Sequence, residues 1–118
     1  MIKMYGIPNC DTVKKAIDFL KRNKIDFEFH DYKKDGITAA KLKEWCKQRG
    51  WETLFNKRSS TWRDIMDNNG EVKNETEAVK IMKAHTSIIK RPVIEFNEEI
   101  IVGFNEKEYL ETILKDKI

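Results

Sequence analysis

Close to its start the chain reads Tyr5-Gly6-Ile7-Pro8-Asn9-Cys10-Asp11-Thr12. Residues 2–5 are almost entirely apolar and too few for a helix, so they predict a strand, which Gly6 and Pro8 then end. From Val13 onward, apolar residues recur at i, i+3, i+4 and i+7, which predicts a helix. We therefore expect Cys10 at or just before the first turn of that helix.

This placement gives Cys10 a chemical role to consider. Unpaired N–H groups and the positive end of the helix dipole favour a thiolate, so we expect a lowered pKa and a reactive sulfur. The negative charge of Asp11 opposes a lowered pKa, whereas the positive charges of Lys14 and Lys15 favour it. The sequence does not decide which of these charges dominates. The alternative is a buried structural cysteine. The succession of strand, Gly/Pro loop, cysteine and helix favours the reactive interpretation.

Length, composition and charge exclude several classes of protein. A chain of 118 residues predicts one domain with its own core. Its 23 Lys and Arg are interspersed with 20 Asp and Glu, so no basic stripe marks direct binding of nucleic acid. No long apolar segment predicts a membrane span or a signal peptide, and we expect a cytoplasmic protein. Two cysteines 36 positions apart fit neither a zinc site nor a disulfide framework.

The order of elements predicts the fold class. Alternation over residues 25–32 indicates a second strand, parallel to the first, and residues 33–36 a loop. A hairpin is expected over residues 93–103, followed by a helix that Asn105 caps and in which Tyr109, Leu110, Ile113 and Leu114 form the apolar face. The order is β-α-β, helical insertion, β-β-α, which is the layout of an α/β, thioredoxin-like fold with a mixed sheet. We expect residues 1–33 and 87–118 to form the core and residues 34–86 the insertion, within a single domain 1–118.

The insertion shows helical periodicity and its own boundary signals. Thr38 is expected to cap a helix that Gly50 ends. Further short helices follow, one broken at residues 68–70 and one capped by Asn74 with Glu77.

Three motifs sharpen the fold prediction: Gly6-Ile7-Pro8-Asn9-Cys10-Asp11-Thr12, Asn56-Lys57-Arg58-Ser59-Ser60-Thr61-Trp62 and Ile88-Ile89-Lys90-Arg91-Pro92-Val93. In this order they make the chain resemble the family of ArsC arsenate reductases, Spx and YffB proteins, and most closely the YffB branch. The resemblance runs nearly from end to end. It implies an arsenate reductase-like thiol reductase.

The resemblance also implies roles for individual residues. Cys10 matches the family's nucleophile, Arg91 an arginine that holds an oxyanion, and Pro92 a cis-proline that faces the cysteine. Arg58 matches, more loosely, a second basic contact. Such arginines beside a helix N-terminus suit an oxyanion or a carboxylate of glutathione. The neighbours of Cys10 complete the expected anion-binding set: Asn9 and Thr12.

Two departures from the family pattern limit what can be carried over. No arginine follows Arg91, which weakens an arsenate site, and Val13 stands where a C-x-x-C redox switch of Spx would need a second cysteine. The resemblance therefore implies single-cysteine chemistry with no bound cofactor. Glutathione is then the co-substrate, glutathione or glutaredoxin the partner, and a small thiol or an oxyanion the substrate. Two alternatives stay open: a non-enzymatic regulator that resembles Spx and binds the α subunit of RNA polymerase, and a protein that binds glutathione without turnover.

Other residues that could carry chemistry have structural interpretations. Cys46 lies on the apolar face of a predicted helix, where we expect structural packing, with a resolving partner for Cys10 as the alternative. His30 and His85 lack spaced partners and are expected to be structural. The three tryptophans of the insertion are expected in the core: Trp45, Trp51 and Trp62.

Overall fold

The computed structural model describes residues 2–66 and 71–114 of the chain. Within these ranges the strands are β1 Ile2–Gly6, β2 Phe27–Asp31, β3 Val93–Phe96 and β4 Glu99–Val102. The helices are α1 Asp11–Arg22, α2 Tyr32–Asp35, α3 Ala39–Arg49, α4 Trp51–Leu54, α5 Ser60–Met66, α6 Glu75–Ala84 and α7 Glu106–Tyr109. A 3₁₀ turn spans Thr86–Ile88, and a π-helical stretch, Leu110–Leu114, continues α7.

The four strands form one mixed sheet in the order β2-β1-β3-β4. β1 runs parallel to β2, as the intervening helix requires, with Ile2 opposite Phe27. β3 is antiparallel to both β1 and β4, and Tyr5 of β1 lies opposite Val93 of β3. The predicted α/β, thioredoxin-like fold with β-α-β and β-β-α halves is confirmed.

The chain divides into two compact units, Met1–Asp31 with Arg91–Ile118, and Tyr32–Lys90. The first, here called the sheet unit, holds the four strands, α1 and α7. Alternate residues of β1 face α1 because a strand points successive side chains to opposite sides. The buried core of the sheet unit consists of Ile2, Met4, Val13, Ala16, Phe19, Leu20, Ile25, Ile94, Ile101, Tyr109 and Ile113.

The second unit, here called the helical unit, contains α2 to α6 and the 3₁₀ turn. Its helix α3 packs against α4 and α6. As predicted, the Thr38 hydroxyl accepts a hydrogen bond from the N–H of Lys41 (3.1 Å), and Gly50 ends the helix with a φ of 83°. The predicted cap of α6 is also present, because Asn74 Oδ1 accepts from Glu77 N–H at 2.9 Å.

The second strand is shorter than the alternation predicted. Lys24 adopts a φ of 55°, and the N–H of Ile25 donates to the carbonyl of Leu20 (2.9 Å), which places Ile25 in the turn that closes α1. The loop expected over residues 33–36 is largely the one-turn helix α2, which begins at buried Tyr32 and ends with a hydrogen bond from Gly36 N–H to Tyr32 O (2.9 Å). Alternation alone does not reveal such tight turns at the ends of a strand.

The C-terminal part agrees with the predicted hairpin and differs in its helix. Asn97 and Glu98 both have positive φ (50° and 66°), as a two-residue hairpin turn needs. Leu110, predicted on the apolar face, is 46% exposed, because the helix widens into the π-helical stretch at this residue and the spacing of side chains changes. The predicted break at residues 68–70 and the Leu114 side chain lie outside the described residues. No helix in ranges 2–66 and 71–114 is long and apolar enough to cross a membrane.

Candidate active site around Cys10

Cys10 is the N-cap residue of α1, with extended backbone angles (φ −139°, ψ 126°). Its carbonyl oxygen accepts the first helical hydrogen bond, from Lys14 N–H at 2.9 Å. The side chain is half-buried and packs against the core of the sheet unit. The sulfur is thus held at the end of α1 where backbone N–H groups point outward, as the sequence predicts.

Opposing effects set the pKa of Cys10. Partial burial raises the pKa, whereas the N–H of Val13, the Arg91 side chain, the N–H of Thr12 and the positive charge of Arg91 lower it. The result is a pKa below the ordinary value of a thiol. The Cys10 side chain forms no capping hydrogen bond of standard geometry, but these donors lie close enough to favour its thiolate. The charge that acts on the sulfur is therefore that of Arg91.

Arg91 comes close to Cys10 because of the register of the sheet. Val93 pairs with Tyr5, so the residues before β3 lie beside the end of β1, where the loop to Cys10 begins. The Arg91 side chain is half-buried, and its Nε atom is shielded from solvent. A guanidinium in this position can hold an anion at the sulfur as well as stabilise the thiolate.

Pro92 is buried, and the Arg91–Pro92 peptide bond is cis. Its carbonyl oxygen accepts a hydrogen bond from Gly103 N–H (2.7 Å), and the carbonyl oxygen of Gly103 accepts one from the Tyr109 hydroxyl (2.7 Å). The Tyr109 ring packs edge-on against Phe19, with centroids 5.6 Å apart. This chain of hydrogen bonds ties the segment that carries Arg91 to the core.

Sequence reasoning did not single out Gly103 or Tyr109 as support for the site. Gly103 has a φ of 86°, a conformation that favours glycine, and an aromatic residue with a hydroxyl follows six positions later. Neither signal indicates by itself that Gly103 bonds to Pro92 and Tyr109 to Gly103, because the first of these contacts depends on how β4 pairs with β3.

The remaining residues predicted at the site have different positions. Asn9 is exposed beside Cys10, and Thr12 is exposed with its N–H directed at the sulfur. Arg58 belongs to the helical unit, where it is exposed in a turn closed by a hydrogen bond from its N–H to Asn56 Oδ1 (3.1 Å). Contacts of these three side chains with a bound anion stay predictions.

Cys46 differs from Cys10 in every property that controls reactivity. It is 4% exposed on α3, and burial together with the charge of Glu75 raises its pKa to about 11. A thiol of this kind stays protonated at neutral pH and is a poor nucleophile. The geometry thus favours the structural interpretation of Cys46.

The contacts and burial of the histidines and tryptophans are those of residues with structural roles. The His30 ring lies 4.8 Å from the Tyr5 ring, and His85 is the C-cap of α6. Trp45 and Trp62 are buried, whereas Trp51 is half-buried. Within the described ranges, no group of three His, Cys, Asp or Glu side chains could hold a metal ion.

Comparison with known proteins adds independent evidence. A model of the ArsC family matches residues 5–112. An uncharacterised protein of Haemophilus influenzae is 42% identical over 109 residues, which cover 92% of this chain and 96% of that protein. The global transcriptional regulator Spx 2 of Bacillus anthracis is 26% identical over 92% of this chain and 83% of its own length.

Solved structures resemble this chain over most of its length. A YffB protein superposes with a TM-score of 0.91 at 37% identity, covering 96% of this chain and 99% of its own. An arsenate reductase (ArsC) related protein from Brucella melitensis superposes with a TM-score of 0.74 at 39% identity, over 94% of this chain and 92% of its own. The similarity therefore includes the strand, loop and helix that position Cys10.

Proposed function

The chain belongs to the ArsC family, and we propose that it is a single-cysteine thiol oxidoreductase that acts on a small thiol-linked or oxyanion substrate with glutathione as co-substrate. The observation that carries this proposal is the convergence of Val13 N–H, Thr12 N–H and the Arg91 side chain on the Cys10 sulfur. A thiolate is the nucleophile in thiol–disulfide exchange, so groups that favour the thiolate at neutral pH prepare the sulfur for attack.

A mixed disulfide of glutathione illustrates the reaction. The Cys10 thiolate attacks the glutathione sulfur, the substrate S–S bond breaks, and a Cys10–glutathione disulfide forms. The substrate leaves as a thiolate and takes a proton from water. A second glutathione thiolate attacks the glutathione sulfur of this disulfide, which releases oxidised glutathione and restores the Cys10 thiolate. The net reaction converts one mixed disulfide and one glutathione into the free substrate thiol and one oxidised glutathione, half of which comes from the mixed disulfide.

Arg91 has two roles in this proposal. Before attack its charge favours the Cys10 thiolate, and during the reaction its guanidinium holds a carboxylate of glutathione or an oxygen of an oxyanion. Pro92 holds the backbone of this segment through its bond with Gly103. Contacts of Asn9, Thr12 and Arg58 with the substrate stay predictions of the family resemblance.

The difference between the two cysteines supports the single-cysteine chemistry of this proposal. Cys46 is buried with a raised pKa, so no second activated thiol is available among the described residues to resolve a Cys10 adduct. An external thiol must then do so, and glutathione is the abundant small thiol with the carboxylates that an arginine binds.

The proposal is tested by an assay panel on the purified protein. Arsenate, a glutathione mixed disulfide and a generic disulfide are each offered with glutathione or with glutaredoxin as reductant. We expect turnover of the mixed disulfide with glutathione, loss of turnover in Cys10→Ser, and retention in the matched control Cys46→Ala. Equal turnover by the parent and Cys10→Ser would contradict the proposal, as would no turnover of any substrate by the parent.

The alternative is a regulator that resembles Spx and binds the RNA polymerase α subunit. Relatives named Spx support it only through identities of 22–26%, and its binding surface would not require an activated Cys10. A pull-down with the α subunit separates the two proposals. Recovery of the subunit by both the parent and Cys10→Ser, together with an inactive assay panel, would favour the regulator.

A further inference from the structure

The packing around Gly6 adds a residue to the site. We propose that Gly6 is a positioning residue, because the absence of a side chain there lets Val13 and Arg91 approach the Cys10 sulfur together. This inference deepens the proposed function and rests on it, because Gly6 matters for catalysis only if Cys10 is the nucleophile. Its physical content, the contact between three residues of the sheet unit, can be tested separately.

The distances around Gly6 support this role. A Cβ atom at Gly6 would lie 3.0 Å from Cγ2 and 3.7 Å from Cγ1 of Val13, and 3.8 Å from Cβ of Arg91. The first distance is well inside ordinary van der Waals contact, so the Val13 side chain occupies the space where a side chain of residue 6 would begin. Gly6 thus lies against Val13 and Arg91, two of the three residues that supply donors to the sulfur.

Space, and not backbone conformation, is what makes glycine necessary here. Gly36, Gly50 and Gly103 have positive φ, whereas Gly6 is the final residue of β1 and is not among the positive-φ glycines. An alanine at position 6 would therefore suit the strand backbone. Its cost would come from the Val13 side chain, which is fully buried in the core and has little room to move.

Displacing Val13 changes the site because its N–H is a donor to the Cys10 sulfur. A methyl group at position 6 pushes Val13, and with it the first turn of α1, away from β1. The hydrogen bonds to the thiolate then lengthen, and the pKa of Cys10 rises. The charged neighbours of Cys10 on α1, Asp11 and Lys14, are exposed and unchanged by this substitution.

A double-mutant cycle tests the contact. The four proteins are the parent, Gly6→Ala, Val13→Ala and Gly6→Ala/Val13→Ala. Alanine at position 13 keeps the N–H but removes both Cγ atoms, so the double variant lacks the 3.0 Å and 3.7 Å contacts and keeps the ordinary 3.8 Å contact with Arg91 Cβ. Iodoacetamide labelling of the Cys10 peptide is followed by mass spectrometry from pH 5 to pH 10.

We expect Gly6→Ala to slow labelling of Cys10 by about threefold or more at acidic and neutral pH, because it weakens charge-assisted hydrogen bonds to the thiolate. At high pH, where Cys10 is ionised in both the parent and the variant, we expect no effect. The slowing caused by Gly6→Ala should be largely abolished in the Val13→Ala background, so that the double variant labels at the rate of Val13→Ala. A merely structural role would lower thermal stability without moving this pH profile.

Two results would overturn the inference: a Gly6→Ala profile identical to that of the parent, or a double variant as slow as Gly6→Ala. If Gly6→Ala does not fold, the double variant still decides, because it should fold and label like Val13→Ala, and its failure to do so counts against the contact with Val13. Failure of the proposed function has a different signature. In that case the parent shows no turnover in the assay panel, but the Cys10 labelling rates of the four proteins still differ with pH as described above.

Discussion

The N–H of Gly103 donates a 2.7 Å hydrogen bond to the carbonyl oxygen of Pro92, the residue that follows Arg91. Gly103 is held in turn by the Tyr109 hydroxyl, also at 2.7 Å. The arginine that favours the Cys10 thiolate is therefore carried by a backbone segment with its own support from the core. This arrangement leads to the first of four predictions.

Tyr109→Phe should lower the free energy of unfolding by about 1 kcal/mol, the usual value of a hydrogen bond lost from a partly buried site. The ring contacts with Phe19 and Phe104 remain, so only the bond to Gly103 is removed. Urea denaturation measures the change. Tyr5→Phe is a matched control, since it removes another hydroxyl bond in the sheet unit, to Glu95 at 2.8 Å, without touching Gly103. Stability equal to the parent in Tyr109→Phe would contradict the prediction.

Arg91→Ala should raise the pKa of Cys10, because both the hydrogen bond and the charge of Arg91 favour the thiolate. Labelling by iodoacetamide at pH 6 should then slow by about tenfold, as expected when a hydrogen bond to a charged group worth about 1.5 kcal/mol is lost. Arg22→Ala is the control. It removes the same charge from an exposed residue, paired with Glu106 at 3.7 Å, at the far end of α1, about 18 Å away. Equal slowing in both variants would mean that the effect is one of net charge.

The depressed pKa of Cys10 predicts a dependence of stability on pH. The folded protein binds the Cys10 proton less tightly than the unfolded chain, so the stabilisation is fully present above the unfolded pKa of about 8.5. It is lost as the pH falls through the lower pKa of the folded protein. The difference in unfolding free energy between the parent and Cys10→Ser should therefore grow in favour of the parent from acid to pH 9. A difference independent of pH would contradict the lowered pKa.

Cys46 should show the opposite dependence at alkaline pH. Its pKa in the folded protein is about 11, above the value of about 8.5 in the unfolded chain. The buried thiol thus contributes stability below pH 8.5 that is lost as the pH rises towards 11. Cys46→Ala should lose less stability than the parent between pH 8.5 and pH 10.5 in urea denaturation. If the unfolding free energies of the two proteins fell in parallel with pH, the pKa of Cys46 would not be raised in the folded protein.

Much of the fold could be predicted from the sequence, because helix periodicity, capping residues and the hairpin turn are effects between residues close in the chain. Thr38, Asn74 and Asn105 cap the helices that they were expected to cap. The predictions were wrong at the ends of elements, where the backbone departs from the regular strand or helix that the local pattern indicates. Ile25 is drawn into the turn after α1, and Leu110 turns outward where the helix widens.

The candidate site divides in the same way. The sequence by itself determined that Cys10 stands between a short strand and a helix, because the strand, the glycine, the proline and the helix all lie within about ten residues. A helix N-terminus favours the thiolate whatever the rest of the fold, so the reactivity of Cys10 could also be predicted. Arg91 was assigned there only through the family resemblance.

Only the tertiary structure decided what surrounds that sulfur. The antiparallel pairing of Tyr5 with Val93 brings Arg91 beside the end of β1, and the pairing of β3 with β4 brings Gly103 to Pro92. The packing of α1 against the end of β1 places Val13 Cγ2 only 3.0 Å from where a Cβ of residue 6 would lie. These contacts join residues far apart in the chain, and they follow from the register of the sheet and the close packing of its core, which no local pattern contains.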